Sequence, residues 1–354
     1  MHSKQIKVLI VDDSALIRQM LTSMLESNPD IRVVGAAPDP FSAREMIKRL
    51  NPDVLTLDIE MPKMDGIAFL QKIMTLRPMP VVMISSLTQE GADVALQALE
   101  IGAVDYIGKP TSDLKVGLEQ KAAEIITKVK IAAIANVKAF KVTPTAKTPV
   151  SFGNYRSTEQ VIMIGSSTGG VEALREVITV LPPNSPAVMI TQHMPANFTT
   201  SFANRMNSLS KVTVSEAKAN QRVLPGHVYV APGGRHMELA RSGANYICHI
   251  HDKPPINGHC PSVDVLFNSA AKVARSNAVG VILTGMGRDG AQGLLAMREA
   301  GAHTIGQDES SCVVYGMPKV AFELGAVERQ YPLLKIAGGI FNSLAKHDTK
   351  AIRI

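Results

Sequence analysis

The stretch KVLIVDDS (7–14) opens on a lysine, runs through four apolar residues, Val8 to Val11, and stops at two aspartates. An apolar run of that length without alternation fits a strand buried on both faces, and the aspartates mark its polar end. Outward from it, similar runs recur as IRVVGAA (31–37), DVLTLD (53–58), PVVMIS (80–85) and AVDYIG (103–108). Segments with helical spacing separate them, as with Ile67, Leu70, Ile73 and Met74 after Asp65-Gly66. Five such β-α units, over Ile6 to about Val129, predict an α/β fold with a five-stranded, doubly wound parallel sheet. The last unit reads as a long helix from Ser112 to about Ala135 that leads out of the domain.

Residues 142–157, VTPTAKTPVSFGNYRS, have no apolar period and the Pro, Thr, Ser and Lys content of a linker. Beyond it a second alternation begins: VIMIG (161–165), AVMITQ (187–192), VTVSE (212–216), HVYVA (227–231), AVGVILTG (278–285) and HTIGQ (303–307). Helical segments at Val171–Leu181 and Val263–Ala274 lie between these runs. The expected organisation is a first domain over 4–122, a linker helix and flexible linker over 123–156, and a second α/β domain with a mainly parallel sheet over 157–350. Gly- and Pro-rich stretches near 225–260 indicate some antiparallel strands in that second domain.

The chain has 354 residues, which agrees with two domains. Trp is absent, aromatics are 4% and Met reaches 17, so aliphatic residues and Met must fill both cores. The net charge of +6 is not gathered into any block of basic residues, which argues against a nucleic-acid partner. The three cysteines, Cys248, Cys260 and Cys312, form no CxxC pair, and a reducing compartment is expected. The apolar run near the N-terminus is too short for a signal peptide, and no run approaches the length that spans a bilayer. A cytoplasmic protein without membrane insertion is the expectation.

On the first strand map the polar residues converge. Asp12 and Asp13 follow strand one, Asp58 ends strand three, Ser85 ends strand four and Lys109 follows strand five. In an open parallel sheet these ends share one edge, where sites form. Three carboxylates held together repel one another unless a hard cation sits among them, and Mg²⁺ favours such oxygen ligands. A lysine and a hydroxyl beside them suit a phosphoryl group, with Asp58 as the nucleophile that forms an aspartyl phosphate. Acidic residues at strand ends also serve as helix N-caps, and a single Asp-Asp pair would mean no more than that. The motifs VLIVDDS (8–14), LDIEMPKMDG (57–66), ISS (84–86) and GKP (108–110) together resemble the receiver domains of two-component response regulators. That resemblance implies Mg²⁺ on Asp13 and Asp58 with the backbone carbonyl of Glu60, and makes Tyr106 the aromatic residue that shifts on phosphorylation. Ser85 stands where the family often has Thr.

In the second half GSSTG (165–169) fits G-x-S-x-G, a small-residue turn from strand to helix that exposes Ser167. Alone it serves equally as a phosphate-cradling turn. The absence of G-x-G-x-x-G, and of an acidic strand end about 20 residues on, favours a nucleophilic serine. His193, just past the next strand in QHMP (192–195), is the candidate base. Asp289, in the glycine-rich LTGMGRDG (283–290), is the candidate orienting carboxylate, and the Met286 N–H a candidate oxyanion donor. Cys248, His249, His251, His259 and Cys260 have no standard zinc spacing and read as structural.

Together with the receiver motifs, GSSTGG, QHMP, APGGRHMEL, CPSVDVLF, LTGMGRDGA and CVVYGMPK make the chain similar, nearly end to end, to the CheB family of chemotaxis protein-glutamate methylesterases. The resemblance implies hydrolysis of glutamyl methyl esters on chemoreceptor helices with release of methanol, deamidation of some glutamines, and a chemotaxis histidine kinase as phosphodonor. It places the triad on Ser167, His193 and Asp289 and the oxyanion environment on Thr168 and Met286. It also implies that the unphosphorylated receiver restrains the esterase. Cys260 departs from the basic residue of close relatives. A response regulator with a DNA-binding output and a nucleotide-binding module using GSSTGG are the rival readings; the first lacks a helix-turn-helix pattern.

Overall fold

The structure is a computed structural model that describes residues 5–61, 65–86, 89–109, 120–137 and 159–351. Pro62–Met64, Pro110, the helix start expected at Ser112, the linker stretch Val142–Ser157 and the Ser85 side chain lie outside what is described. The chain divides into two compact units, Met1–Pro144 and Thr145–Ile354.

The first unit alternates strand and helix: β1 (Ile6–Val11), α1 (Ala15–Glu26), β2 (Ile31–Ala37), α2 (Pro40–Leu50), β3 (Val54–Asp58), α3 (Gly66–Leu76), β4 (Val81–Ser86), α4 (Gln89–Ile101), β5 (Asp105–Lys109) and α5 (Ala122–Ala133). The strands form one sheet in the order β2-β1-β3-β4-β5, with every pairing parallel, as the uninterrupted apolar runs require. Val8–Val11 are fully buried, with helices on both faces of the sheet. Helix starts are set by Ser14, Asp39 and Asp65, whose side chains accept N–H bonds from the first turns of α1, α2 and α3. The caps are therefore residues other than Asp12, Asp13 and Asp58, and these three remain available for chemistry.

Helix α5 does not simply lead away, as expected from its sequence. It buries Ile125, Val129, Ile131 and Ala132 against the receiver-like unit, and Lys128 pairs with Asp105 at 3.2 Å. Lys130 reaches Asp30 at 2.6 Å. The same stripe that reads as a generic amphipathic helix is the covering layer of the sheet.

The second unit contains β6 (Val161–Ser166), α6 (Gly170–Ile178), β7 (Ala187–Gln192), α7 (Ala196–Leu209), β8 (Thr213–Glu216), β9 (His227–Val230), β10 (His236–Ser242), β11 (Asn245–His251), α8 (Val263–Val273), β12 (Ala278–Ile282), α9 (Ala291–Glu299), β13 (His303–Gln307), α10 (Met317–Glu323), β14 (Arg329–Tyr331) and α11 (Ile336–Ala351). Seven strands build a parallel sheet in the order β14-β13-β12-β6-β7-β9-β8. The antiparallel strands indicated near 225–260 are the separate hairpin β10–β11. Its inward residues Met237, Leu239, Cys248 and Ile250 join Phe267, Leu266 and Met163 in the core beneath α8. Methionines fill that core, as the scarcity of aromatics requires. Tyr229 is one of the few large aromatics in it, and its hydroxyl donates to Arg222 O and accepts from Leu224 N. The sheet order puts β6 between β7 and β12, so the loops after these three strands open side by side.

Candidate active site and phosphoacceptor site

At the carboxyl edge of the first sheet, Lys109 Nζ lies 2.8 Å from Asp58 Oδ2 and 3.3 Å from Asp12 Oδ2. Asp58 and Asp12 are buried, while Asp13 is exposed. Burial pushes the Asp58 carboxyl up to about 6, against the opposing pull of Lys109. Burial likewise raises Asp12. For Lys109 burial acts downward, but the bond to Asp58 and the charges of Asp58 and Asp12 outweigh it, and its pKa is raised. One lysine is therefore set against two buried carboxylates.

Oxygen atoms of Asp12, Asp13 and Asp58 lie within 4.8 Å of one another. Asp12 Oδ1 accepts from Ser14 N, and the buried Oδ2 faces Lys109 Nζ. An all-oxygen donor set of three carboxylates, two of them buried and sharing one lysine, fits a hard divalent cation such as Mg²⁺. The Glu60 N–H leans toward Asp58 Oδ1 at 3.4 Å, which keeps residue 60 next to the cluster. Gly66 permits the tight path here: a β-carbon on it would lie 2.2 Å from Asp58 O. Tyr106 is buried with Lys128 Nζ 4.9 Å above its ring. Ser85 stands on β4 in register with Gly108 of β5.

In the second unit the loops after β6, β7 and β12 bring Ser167, His193 and Asp289 to one edge. Ser167 N donates to Thr284 O at 3.0 Å, and His193 N donates to Ser166 O at 3.2 Å. Gln192 locks the first two loops together: it accepts from Ser166 Oγ and donates from Nε2 to Ser167 O and His193 O. Gly285 is required by the approach of the third loop, since a β-carbon there would stand 2.7 Å from Ser167 Cβ.

His193 Nε2 meets Asp289 Oδ2 at 2.8 Å, in a pair almost closed to solvent. With Nε2 carrying the proton toward the carboxylate, Nδ1 is the basic nitrogen, and it is buried without a hydrogen bond. Asp289 accepts further from Val263 N, Ser262 Oγ, Asn257 Nδ2 and Asp264 N. Burial acts to raise the Asp289 carboxyl, but the His193 bond and charge, with these donors, hold it well below the usual carboxylate range. Asn257 also donates to Asp264 Oδ2 at 2.8 Å and so separates two buried carboxylates. Burial, with Asp289 nearby, raises the Asp264 pKa.

Thr168 is buried, and its carbonyl accepts from Thr284 Oγ1. Met286 has an exposed side chain beside the serine loop, and its N–H makes no hydrogen bond among the described residues.

His259 parts from the Cys/His cluster to which the sequence assigns a structural role. Its ring stacks on His193 with centroids 3.7 Å apart and planes 7° from parallel. Cys248 faces the core, while His249 and His251 lie on the opposite face of β11, as the strand period requires. Asn257 and Ser262 also reach the site without having been singled out from sequence, and Asp264, which reads from sequence as a less attractive orienting carboxylate than Asp289, lies beside it. The motif CPSVDVLF contains two of them, and its polar residues beside a helix start were the available signal.

Residues 162–340 match the family described as CheB methylesterase, and residues 8–118 match the response regulator receiver domain. Over its whole length the chain is 53% identical to a protein-glutamate methylesterase/protein-glutamine glutaminase of Geobacter metallireducens, covering 100% of both. The chain belongs to the CheB methylesterase family. A second protein-glutamate methylesterase/protein-glutamine glutaminase, from Cupriavidus pinatubonensis, is 52% identical with both chains covered in full. The crystal structure of the Thermotoga maritima CheB methylesterase catalytic domain matches 52% of this chain and 97% of its own, at 38% identity and a TM-score of 0.51. The CheB match runs from β6 into the start of α11, and takes in the Ser167, His193 and Asp289 loops. Among the described residues no helix is long and apolar enough to cross a membrane.

Proposed function

We propose that this chain is a phosphorylation-activated protein-glutamate methylesterase that hydrolyses glutamyl methyl esters on chemoreceptor helices, and a glutamine deamidase by the same chemistry. The observation that carries the reading is the His193–Asp289 pair, with Nε2 committed to the carboxylate and Nδ1 left basic and unbonded. Ser167 Oγ attacks the ester carbonyl carbon as its proton passes to His193 Nδ1. Oxygen charge in the tetrahedral intermediate is met by the Met286 N–H and by Thr168. The C–O bond to the methoxy group breaks, and His193 returns the proton so that methanol leaves. Water then attacks the acyl-serine with His193 again as base, which frees the glutamate carboxylate and Ser167. A glutamine side chain follows the same path with ammonia as the leaving group. Asp289 holds the imidazole tautomer and balances its transient charge without itself being protonated.

The first unit supplies control. Asp58 is the phosphoacceptor, taking the phosphoryl group from a chemotaxis histidine kinase. Asp12, Asp13 and Asp58, with the Glu60 carbonyl, hold Mg²⁺, which when bound offsets the repulsion between carboxylates and phosphoryl oxygens. Lys109 exchanges its contact with Asp58 for a phosphoryl oxygen, and the Ser85 hydroxyl and Tyr106 pass the change on. The working division is a receiver that includes α5, a linker ending near residue 156, and a catalytic domain over 157–350. A cytoplasmic setting follows from these partners.

The reading is tested by methanol release from a methylated chemoreceptor cytoplasmic fragment. Ser167→Ala is expected to abolish release, and Ser167→Ala with intact deamidation would separate the two activities and overturn the shared mechanism.

A further inference from the structure

Asp289 is anchored at both oxygens by donors from residues 257–264, so the carboxylate end of the pair is rigid. One hydrogen bond at Nε2 does not fix an imidazole, because the ring can still tilt about that bond. The missing constraint comes from His259, whose ring covers one face of His193 at 3.7 Å in near-parallel stacking. No hydrogen bond among the described residues holds the His259 ring; the stack does.

The turn that delivers His259 is tightly specified. Ile256 and His259 exchange both backbone hydrogen bonds, at 3.0 and 2.9 Å, around Asn257 and Gly258. Both central residues have positive φ, 54° and 81°, the conformation that Asn-Gly tolerates best in two-residue turns. The Asn257 side chain of the same turn donates to Asp289 Oδ1 at 3.1 Å. One four-residue turn thus holds the imidazole from its face and the carboxylate from its edge.

We infer that His259 is a positioning residue for ester hydrolysis, fixing the plane of the His193 ring and stabilising the imidazolium that His193 becomes. The inference rests on the esterase reading above. Its physical basis is twofold. A flat partner removes the tilt freedom that would carry Nδ1 off the line to the serine proton, and misplacement of that kind is costly in rate. A neutral aromatic face against a developing cation is attractive, and more so out of water. His259 meets the second condition: burial, and then the facing His193, lower its pKa to about 4 despite the attraction of Asp289, so the ring is neutral where esterases work. A charged His259 would instead oppose every proton taken by His193.

The test uses the full chain and a methylated chemoreceptor fragment, with His259→Ala and His259→Phe beside wild type. His259→Ala is expected to lower kcat by roughly 10- to 100-fold with KM within about twofold, the signature of an interaction made in the transition state. His259→Phe, which restores a flat neutral face, is expected to recover kcat to within about fivefold of wild type. The far-downfield proton resonance of the His193–Asp289 hydrogen bond should persist in wild type and His259→Phe and broaden in His259→Ala. Wild-type kcat in His259→Ala would overturn the proposal, as would a His259→Phe enzyme as slow as His259→Ala with the resonance sharp in both. Should His259→Ala fail to fold, His259→Leu replaces it as apolar bulk without a flat face, and equal kcat for Leu and Phe is then the contradicting result. If wild type releases no methanol, the esterase reading itself fails, while the proton resonance still reports on the stack.

Discussion

The proposed mechanism needs the His193 proton on Nε2, facing Asp289 Oδ2 at 2.8 Å, so the most direct substitution is Asp289→Asn. The amide can donate to Nε2 and thereby reverse the tautomer, leaving Nδ1 protonated and unable to take the serine proton. Steady-state methanol release should show kcat lower by roughly 10³- to 10⁴-fold with KM little changed; a fall below tenfold would mean that the pair is not catalytic. A pH effect belongs to this scale as well. The pKa of His259 is about 4, below the roughly 6.5 of an unfolded histidine, chiefly through burial and then through His193. The unfolded chain therefore binds this proton first as pH falls. Stability from His259 is fully present above about 6.5 and is lost as pH falls toward 4. His259→Phe removes that titration, so its melting temperature should fall less between pH 6.5 and 5 than that of wild type, measured by calorimetry on the catalytic unit's transition. Equal falls would contradict the assignment. That the loops of Ser167, His193 and Asp289 share one edge was legible from sequence, because each residue follows an apolar run and parallel strands expose their loops at that end. His259 and Asn257 were not, because nothing periodic in DKPPINGHC (252–260) tells that this stretch folds back over the β12 loop.

Strands β6, β7 and β12 lead into the loops that carry Ser167, His193 and Asp289, and these loops must approach closely for the proposed triad to form. Gly285 is where that approach is tightest: an added methyl group would meet Ser167 Cβ at 2.7 Å and Met317 Sδ at 2.4 Å. Gly285→Ala is expected to leave the far-ultraviolet circular dichroism native while lowering kcat by about 10²-fold, the size of effect that a displacement of about 1 Å produces. Full activity in that variant would show that the serine loop has slack. At this scale most elements were readable, since strands covered on both faces appear as unbroken apolar runs in either sheet. Two were not. β14 is three residues, RQY, at the edge of its sheet, and has too few apolar residues to produce a pattern. α5 was expected to belong to the linker because Ile125 and Val129 give the same period whether a helix covers a sheet or leaves it; the ion pairs of Lys128 and Lys130 with Asp105 and Asp30 decide the matter, and these depend on residues distant in sequence.

Across the whole molecule two α/β units each set a buried carboxylate at the carboxyl edge of their sheet. In the first, burial pushes Asp58 up to about 6 beside Lys109, and the proposed phosphoacceptor faces one cation. In the second, Asp289 is surrounded by donors that favour its charged form, as the proposed orienting role requires. Domain order and both polar clusters were legible because motif and strand position agree. How phosphorylation of one unit changes the rate of the other is a property of the full chain. The measurement that tests the account most directly is methanol release by the full chain from a methylated chemoreceptor fragment, with and without Mg²⁺ and a small phosphodonor, for wild type, Asp58→Asn and Ser167→Ala. The account predicts that phosphodonor raises the wild-type rate at least several-fold, leaves Asp58→Asn at its basal rate, and finds Ser167→Ala inactive throughout. Equal stimulation of wild type and Asp58→Asn, or methanol released by Ser167→Ala, would contradict it.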